Sequence, residues 1–319
     1  MVENLAIMIT EKCNQNCYHC FRPVTRLPSA LSMETLSILS DKITGSSIKN
    51  VRFTGGEPLL IPEFARLVNS FASKGFSVSV GTNATLLNKE KVSHLKESGL
   101  EEVWTTIHSC NPKNHDQLAG CKGAFDLTVS AIKECIHAGI RTCVNFPVSK
   151  YNLQDLKTTL SFLMSLGIDR TKVLRITPMG KAGSQTFDHL SEDEWREVIG
   201  MIAEMDTDGH DIKVQGCEPL SHEDGKCYIY PIRHLNINPL GKVFPCCLLN
   251  NRNQYEVGSV AELLTMDFKS AIDLFNSRIR ARSVFSEGTL PCLDCAQGKD
   301  ICPLYSRHTM NADRIRAND

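Results

Sequence analysis

Three cysteines near the N-terminus stand at a spacing suited to metal chemistry. Cys13, Cys17 and Cys20 form a C-x3-C-x2-C cluster directly after the apolar run of residues 5–10. Thiolate is the ligand that iron–sulfur clusters prefer, so three cysteines can ligate three irons of a [4Fe–4S] cube. The next cysteine is Cys110, which leaves one iron without a nearby protein ligand and open to a chelating cofactor or substrate. A tetrahedral zinc site would need a fourth donor, usually from a second cysteine pair.

A glycine-rich turn follows further along the chain. Gly55-Gly56-Glu57-Pro58 comes directly after the strand-like residues 51–54. Glycine has no Cβ, so two glycines in succession let bare backbone approach a zwitterionic ligand. The Glu57 carboxylate can pair with an ammonium group. Alone this tetrapeptide is an ordinary turn, but its place after the cysteine triad favours a binding role.

Together the two motifs resemble the radical S-adenosylmethionine (radical SAM) superfamily. The resemblance implies that Cys13, Cys17 and Cys20 hold a [4Fe–4S] cluster to which SAM binds. An electron from that cluster cleaves SAM and yields a 5′-deoxyadenosyl radical. The resemblance also implies cofactor contacts in the cysteine loop and at the ends of several strands. These contacts are His19, Gly55, Gly56, Glu57, Asn83, Thr106 and Met179.

Two segments depart from the family pattern. Residues 106–109 stand where peptide-maturing relatives often carry Ser-Leu-Asp-Gly, and here His108 and Ser109 replace Asp and Gly. Thr106 keeps a place among the expected contacts. Residues 115–117 read His-Asp-Gln where arginine commonly follows the aspartate, so no arginine clamp is carried over.

A second dense cysteine region begins at residue 217. Residues 235–245 alternate like a β-hairpin with a turn at residues 239–241. The cysteine spacing around this hairpin resembles the auxiliary-cluster domains called SPASM and twitch. That resemblance implies one auxiliary [4Fe–4S] cluster, and a zinc ribbon is the alternative. The implied ligands are Cys227, Cys246, Cys292 and Cys295, with Cys217 or Cys302 as alternatives for one of them.

Cys246 and Cys247 are adjacent in the segment Phe-Pro-Cys-Cys. Neighbouring side chains of a strand point to opposite faces, so if Cys246 ligates the auxiliary cluster, Cys247 does not. The Pro-Cys-Cys segment resembles radical SAM peptide epimerases, in which the second cysteine donates hydrogen to the substrate radical. This resemblance makes Cys247 the predicted catalytic residue. The alternative is a small buried thiol.

Strand-like and helix-like segments alternate between residues 5 and 177, with glycines at 75, 99, 139 and 167 between a helix and the next strand. About six such units imply an α/β fold with a parallel sheet under right-handed crossovers. The resemblance implies a partial (β/α)6 TIM-like barrel followed by a small cysteine-rich SPASM/twitch domain with a β-hairpin and helix. We predict the barrel over residues 1–188, a bridging helix over 189–210 and the auxiliary-cluster domain over 211–319. Ligands of such sheets bind at the carboxyl ends of the strands.

Composition excludes several classes of protein. A net charge of −1 argues against a general nucleic-acid binder. No stretch approaches the ~20 apolar residues of a membrane span, and the N-terminus does not read as a signal peptide. Fourteen cysteines without a secretion signal indicate metal and redox chemistry in a reducing cytoplasm rather than disulfides.

The predicted function is a radical SAM enzyme that abstracts hydrogen from an unactivated C–H bond and epimerises a residue in a ribosomally made peptide. The alternatives are an epimerase or dehydrogenase of a sugar or aminoglycoside, a peptide cross-linking maturase, and a non-catalytic metal-binding module. The expected cofactors are SAM and two [4Fe–4S] clusters. The expected partners are a peptide or small-molecule substrate and a reductase such as flavodoxin or ferredoxin as electron donor.

Overall fold

The computed structural model describes residues 1–22, 31–176, 180–184, 187–207, 209–215, 232, 234–245 and 256–281. These residues form one ten-stranded sheet covered by helices. The strands are β1 (Asn4–Thr10), β2 (Asn50–Gly55), β3 (Ser77–Gly81), β4 (Leu100–Thr106), β5 (Arg141–Val148), β6 (Arg170–Arg175), β7 (Asp211–Gln215), β8 (His234–Ile237), β9 (Lys242–Phe244) and β10 (Gly258–Ser259). The α-helices are α1 (Met33–Ile43), α2 (Phe64–Ala72), α3 (Lys89–Glu97), α4 (Pro112–Ala119), α5 (Ala124–His137), α6 (Leu156–Ser165), α7 (Glu192–Ala203), α8 (Val260–Thr265) and α9 (Phe268–Ala281).

Strands β1 to β7 are neighbours in chain order, and every pair among them is parallel. Each crossover therefore steps the same way across the sheet. Because crossovers between parallel strands are right-handed, their helices all cover one face. The opposite face, called the inner face below, is free of these helices. The predicted α/β class with a parallel sheet is confirmed.

The helix-covered face holds an apolar core. On β2, Val51 and Phe53 are fully buried and pack in one cluster with residues of α1 and α2. On β5, Val144 and Phe146 do the same beneath α6 and α7. Burying each such side chain contributes about 1.5–3 kcal/mol. Trp195 of α7 is 1% exposed in this second cluster.

Four helices end at glycines with a left-handed backbone. The φ angles of Gly75, Gly99, Gly139 and Gly167 are 86°, 95°, 66° and 74°. A residue with a Cβ would pay roughly 1–2 kcal/mol in this region, so glycine lets the chain leave the helix and enter the next strand directly. These predicted helix ends are confirmed.

The sheet continues past residue 188, the predicted end of the barrel. Strand β7 extends it beside β6, and β8 pairs in parallel with the free edge of β1. The predicted hairpin is confirmed as β8 and β9, and its first strand joins the barrel sheet. An exposed edge of β1 would leave backbone groups unpaired, and β8 covers them.

Two cysteines outside the predicted metal-binding sets are buried. Cys135 on α5 and Cys143 on β5 are 1% and 2% exposed. Burial raises the pKa of each thiol to about 12. Both are therefore protonated, small apolar side chains at neutral pH.

Within the described residues, no helix is both long enough and apolar enough to cross a membrane.

Candidate functional site

The cysteine loop, residues 11–22, leaves the carboxyl end of β1. Cys13, Cys17 and Cys20 are all half-buried and form no disulfide. Burial, with the neighbouring Cys20 and Cys13 adding to its effect, raises the pKa of the Cys17 thiol to about 12. The three thiols are therefore near enough to act on one another.

Backbone hydrogen bonds fix the cysteine loop on three sides. The loop donates twice to the end of α4, accepts from the turn after β2, and accepts from the segment after β6. These bonds run from Tyr18 N to Leu118 O (2.8 Å), Asn16 N to Ala119 O (3.2 Å), Glu57 N to Lys12 O (2.7 Å) and Lys181 N to Cys20 O (2.9 Å). Each of the loop's neighbours is itself anchored to the sheet, so the loop's position is set by the fold.

Glycines allow these close backbone contacts. A Cβ on Gly56 would lie 1.8 Å from the carbonyl oxygen of Lys12. A Cβ on Gly120 would lie 2.5 Å from the carbonyl oxygen of Asn16, and one on Gly180 would lie 2.4 Å from that of Cys20. The bare backbone of Gly56 therefore packs directly against the backbone of the cysteine loop. Its approach to a bound SAM stays a prediction.

The Glu57 carboxylate is fully buried and joins the ends of two strands. It accepts hydrogen bonds from Leu59 N (3.0 Å), Thr82 Oγ1 (2.6 Å) and Asn83 N (2.8 Å). Burial raises the pKa of Glu57, and these hydrogen bonds oppose the rise. A carboxylate has about four acceptor positions, so one remains beyond these bonds. The predicted pairing of Glu57 with an ammonium group stays a prediction.

Asn83, which follows β3, reaches the cysteine loop. Its Nδ2 donates to Asn14 Oδ1 at 2.8 Å and lies 3.9 Å from Cys13 Sγ. Its Oδ1 accepts from Thr85 N at 3.0 Å. The next residue, Ala84, has a φ of 63°, which is a strained conformation for alanine. The fold holds this turn, and with it Asn83, against the cysteine side of the site.

Three histidines come together at the cysteine loop: His19 belongs to the loop and is half-buried, whereas His108 and His115 are buried. The ring centroids of His19 and His108 are 4.9 Å apart, and those of His108 and His115 are 5.1 Å apart. The backbone N–H of His108 donates to His115 Nδ1 at 3.2 Å, which leaves the proton of a neutral His115 on Nε2. Burial lowers the pKa of His19 and His115 to about 4 and that of His108 well below its usual value.

His108 Nδ1 is buried and has no hydrogen-bond partner within the described part of the chain. The sequence indicates His108 only as a departure from a family motif. What the sequence does offer is a histidine in the cysteine loop and two more just after β4. Their convergence depends on the tertiary fold.

Ser109 and Asp116, from the two segments that depart from the family pattern, form hydrogen bonds with neighbouring parts of the fold. Ser109 Oγ donates to Asp155 Oδ2 at 2.6 Å, and Asp116 accepts from Phe125 N at 2.9 Å. Thr106 ends β4, is half-buried, and lies beside Asn145 of β5.

The structure thus brings most of the predicted site residues to one edge of the sheet. They are Cys13, Cys17, Cys20, His19, Gly55, Gly56, Glu57, Asn83 and Thr106. The others lie outside the described residues, and their roles stay predictions. These are Met179, Cys227, Cys246, Cys247, Cys292 and Cys295, together with the alternatives Cys217 and Cys302.

The donor set fits an iron–sulfur cluster better than a single metal ion. Among the described residues, no three His, Cys, Asp or Glu side chains are arranged to hold one ion. The ligands of a single zinc all lie ~2.3 Å or less from the metal and so crowd together. A cube distributes its thiolates over separate irons. Three neighbouring, half-buried thiols that do not converge on one point match the second arrangement.

Residues 7–163 match the family model described as the Radical SAM superfamily. The chain contains a radical SAM superfamily domain. The matched segment begins in β1, includes all three loop cysteines and extends into α6. It therefore covers every predicted site residue that the structure describes.

Two curated relatives are similar over much of the chain. The "Fe-coproporphyrin III synthase" of Methanosarcina barkeri is 28% identical over 257 residues, which cover 78% of this chain and 63% of that protein. A "Probable GTP 3',8-cyclase" of Sulfurisphaera tokodaii is 30% identical over 201 residues, which cover 62% of this chain and 63% of that protein. The chain thus spans less than two thirds of either relative.

Solved structures share the fold. Streptococcus suis SuiB bound to the precursor peptide SuiA superposes with a TM-score of 0.74 at 18% identity, covering 94% of this chain and 71% of that one. A structure of anSMEcpe with bound AdoMet gives a TM-score of 0.69 at 15% identity, covering 86% of this chain and 82% of that one. The likeness confirms the predicted barrel-type α/β fold.

We expect Gly56→Ala to displace the cysteine loop from its contact with the turn after β2. The new Cβ meets the Lys12 backbone, which can yield only if the loop moves, and overpacking of this kind costs about 1–3 kcal/mol. The measurements are iron content and visible absorption after anaerobic reconstitution, with far-ultraviolet circular dichroism to check the fold. Iron bound at the loop should fall in this variant.

Gly81→Ala is the matched control. Gly81 also ends a strand, but its Cβ would meet nothing nearer than Thr54 Oγ1 at 3.4 Å. This variant should retain the iron content of the unmodified chain. Equal iron content in the two variants would contradict the role of Gly56 in positioning the cysteine loop.

Proposed function

We propose that Cys13, Cys17 and Cys20 hold a [4Fe–4S] cluster at which SAM is bound and cleaved. The observation that carries this proposal is a loop with three half-buried thiols, fixed by backbone bonds at the carboxyl edge of a parallel sheet. When bound, cluster and cofactor supply a 5′-deoxyadenosyl radical that removes hydrogen from an unactivated C–H bond. The chain supplies three thiolates for four irons and leaves one iron for SAM.

Several side chains at this edge have proposed contacts with SAM. Asn83 and Thr106 carry hydrogen-bonding groups at the ends of β3 and β4, and His19 is held against His108. Glu57 and the adjacent glycines fix the turn that borders the loop. Met179 completes the proposed set on the strength of the sequence resemblance. These groups bind and orient SAM, and they form one side of the radical's surroundings.

The substrate we propose is a ribosomally made peptide, in which one residue is epimerised. SuiB, a structural neighbour, is described bound to a precursor peptide, which supports a peptide substrate. The Pro-Cys-Cys segment supports Cys247 as the thiol that returns hydrogen from the opposite face. Cys227, Cys246, Cys292 and Cys295 are the proposed ligands of one auxiliary [4Fe–4S] cluster. A flavodoxin or ferredoxin is the proposed source of electrons.

A small-molecule substrate is the second candidate. The curated relatives are named for a coproporphyrin and for GTP, and they are more similar in sequence to this chain than the structural neighbours are. Epimerisation or dehydrogenation of a sugar or aminoglycoside and peptide cross-linking belong to the same radical chemistry. A non-catalytic metal-binding module is disfavoured because the Gly-Gly-Glu turn and Asn83 both contact the cysteine loop.

We expect the variant Cys13→Ala/Cys17→Ala/Cys20→Ala to form no 5′-deoxyadenosine after reduction with dithionite. It should retain about four irons, against about eight in the unmodified chain, since each cube contains four. The measurements are iron analysis after anaerobic reconstitution and chromatography of the SAM products. Cys121→Ala is the control, because this half-buried cysteine is not a proposed ligand.

Loss of all iron from the triple variant would contradict the proposed second cluster site. A value near twelve irons in the unmodified chain would mean a further auxiliary cluster. Continued formation of 5′-deoxyadenosine by the triple variant would contradict the proposed function itself.

A separate experiment tests Cys247 with a peptide substrate, sought among short open reading frames beside the gene. In deuterated buffer, the unmodified enzyme should place solvent deuterium at the inverted carbon, because a thiol exchanges its hydrogen with water. Cys247→Ala should still cleave SAM but yield no inverted product. Full product formation by this variant would rule out the donor role and favour dehydrogenation or cross-linking, whereas Cys121→Ala should behave as the unmodified enzyme does.

A further inference from the structure

The inner face of the sheet carries a row of three polar side chains. Thr106 of β4 is the register partner of Asn145 of β5, which is in turn the partner of Lys172 of β6. Their sequence neighbours Val144 and Val173 pack in the helix-side core, so alternation along a strand puts the row on the opposite face. All three are half-buried. In the described part of the chain, none of these side chains has a hydrogen bond or ion pair.

An aromatic ring lies against the charged end of this row. Lys172 Nζ is 4.4 Å from the centroid of the Trp104 ring, and Arg52 Cζ is 5.0 Å from it. Trp104 is 4% exposed, and its indole N–H donates to Glu102. The ring is therefore fixed, and it limits where the Lys172 ammonium can go.

The acids on this face are already engaged. Glu102 lies 3.3 Å from Arg52, and Asp211 is paired with Arg170. Burial, with Arg52 and Arg170 adding to it, lowers the pKa of Lys172. A neighbouring anion would offset both effects. Glu102 also attracts the Lys172 ammonium, but no carboxylate of the described residues forms an ion pair with it.

We propose that Asn145 and Lys172 form a binding site for an oxyanion of the substrate, either a carboxylate or a phosphate. Lysine has three N–H donors and no acceptor, while the amide adds an uncharged donor beside it. Lysine is a common phosphate ligand as a point charge. The row begins at Thr106, a proposed SAM contact. Lys172 lies two strands away, at about 10 Å, which leaves room for a substrate beside the cofactor.

This inference rests on the proposed function, because it assigns the anion to the substrate of a SAM-cleaving enzyme. Its test does not need that substrate. The reconstituted full chain is titrated with inorganic phosphate and, separately, with succinate by isothermal titration calorimetry at low ionic strength. Preferential binding of one anion identifies the chemical source of the oxyanion, and binding of both supports the shared chemistry.

Lys172→Gln should weaken anion binding at least about tenfold, as expected when a hydrogen bond to a charged group is lost. Lys213→Gln is the matched control. It removes the same charge from the next strand in the same register row, but Lys213 is exposed and lies 3.5 Å from Asp211. The control variant should bind within a few-fold of the unmodified chain. Asn145→Ala is a second test that leaves every charge in place, and it should also weaken binding.

Three results would overturn the inference. The first is no binding of either anion by the unmodified chain. The second is equal binding by the Lys172→Gln and Lys213→Gln variants, with circular dichroism showing both to be folded. The third is abolition of anion binding by saturating SAM, since the site would then belong to the cofactor.

Formation of 5′-deoxyadenosine is measured in the same preparations without substrate. Anion binding without SAM cleavage would contradict the proposed function and retain the oxyanion site. SAM cleavage without anion binding would contradict the oxyanion site and retain the proposed function. The two failures are therefore distinguishable.

Discussion

The architecture of the site depends on how the cysteine loop is held. Its backbone is bonded to the turn after β2, to the end of α4 and to the segment after β6, and three glycines make those contacts sterically possible. The fold therefore positions the three thiols through backbone contacts. A cluster bound there gains rigidity from the sheet, because the loop's anchors are strand ends and a helix end. Among the described residues the fold places three thiols here, which is the number that the proposed site for a chelating cofactor requires.

The two faces of the sheet carry different kinds of side chain: one face holds the apolar core, and the other carries polar groups. Crossovers of a single hand place the helices and the apolar core on one face. The inner face is free to carry polar groups such as Glu102, Trp104 and Lys172. Polar groups on this face do not have to be accommodated in the core, where an unpaired charge would be costly. The cysteine loop lies at the carboxyl edge of this face, next to the row that begins at Thr106.

Local patterns predict much of this structure, and tertiary contacts decide the rest. The cysteine spacing, the glycine turn, the helix-ending glycines and the βα alternation can all be read over short stretches of chain. The histidine group is different, because His19 meets His108 only after β1 and β4 have taken their places in the same sheet. The row of Thr106, Asn145 and Lys172 likewise depends on register across three strands. The pairing of β8 with β1 joins segments far apart in the chain, and no local signal identifies the partner edge.

The most direct test of the central claim is electron paramagnetic resonance of the reduced loop cluster, with and without SAM. The variant used would have Cys227, Cys246, Cys292 and Cys295 changed to Ala, so that only the loop cluster contributes. An iron without a protein ligand should bind SAM directly and shift the g-values of the reduced cluster. A cluster whose spectrum is unchanged by saturating SAM would contradict the open site, and absence of any cluster in this variant would contradict the loop as its location.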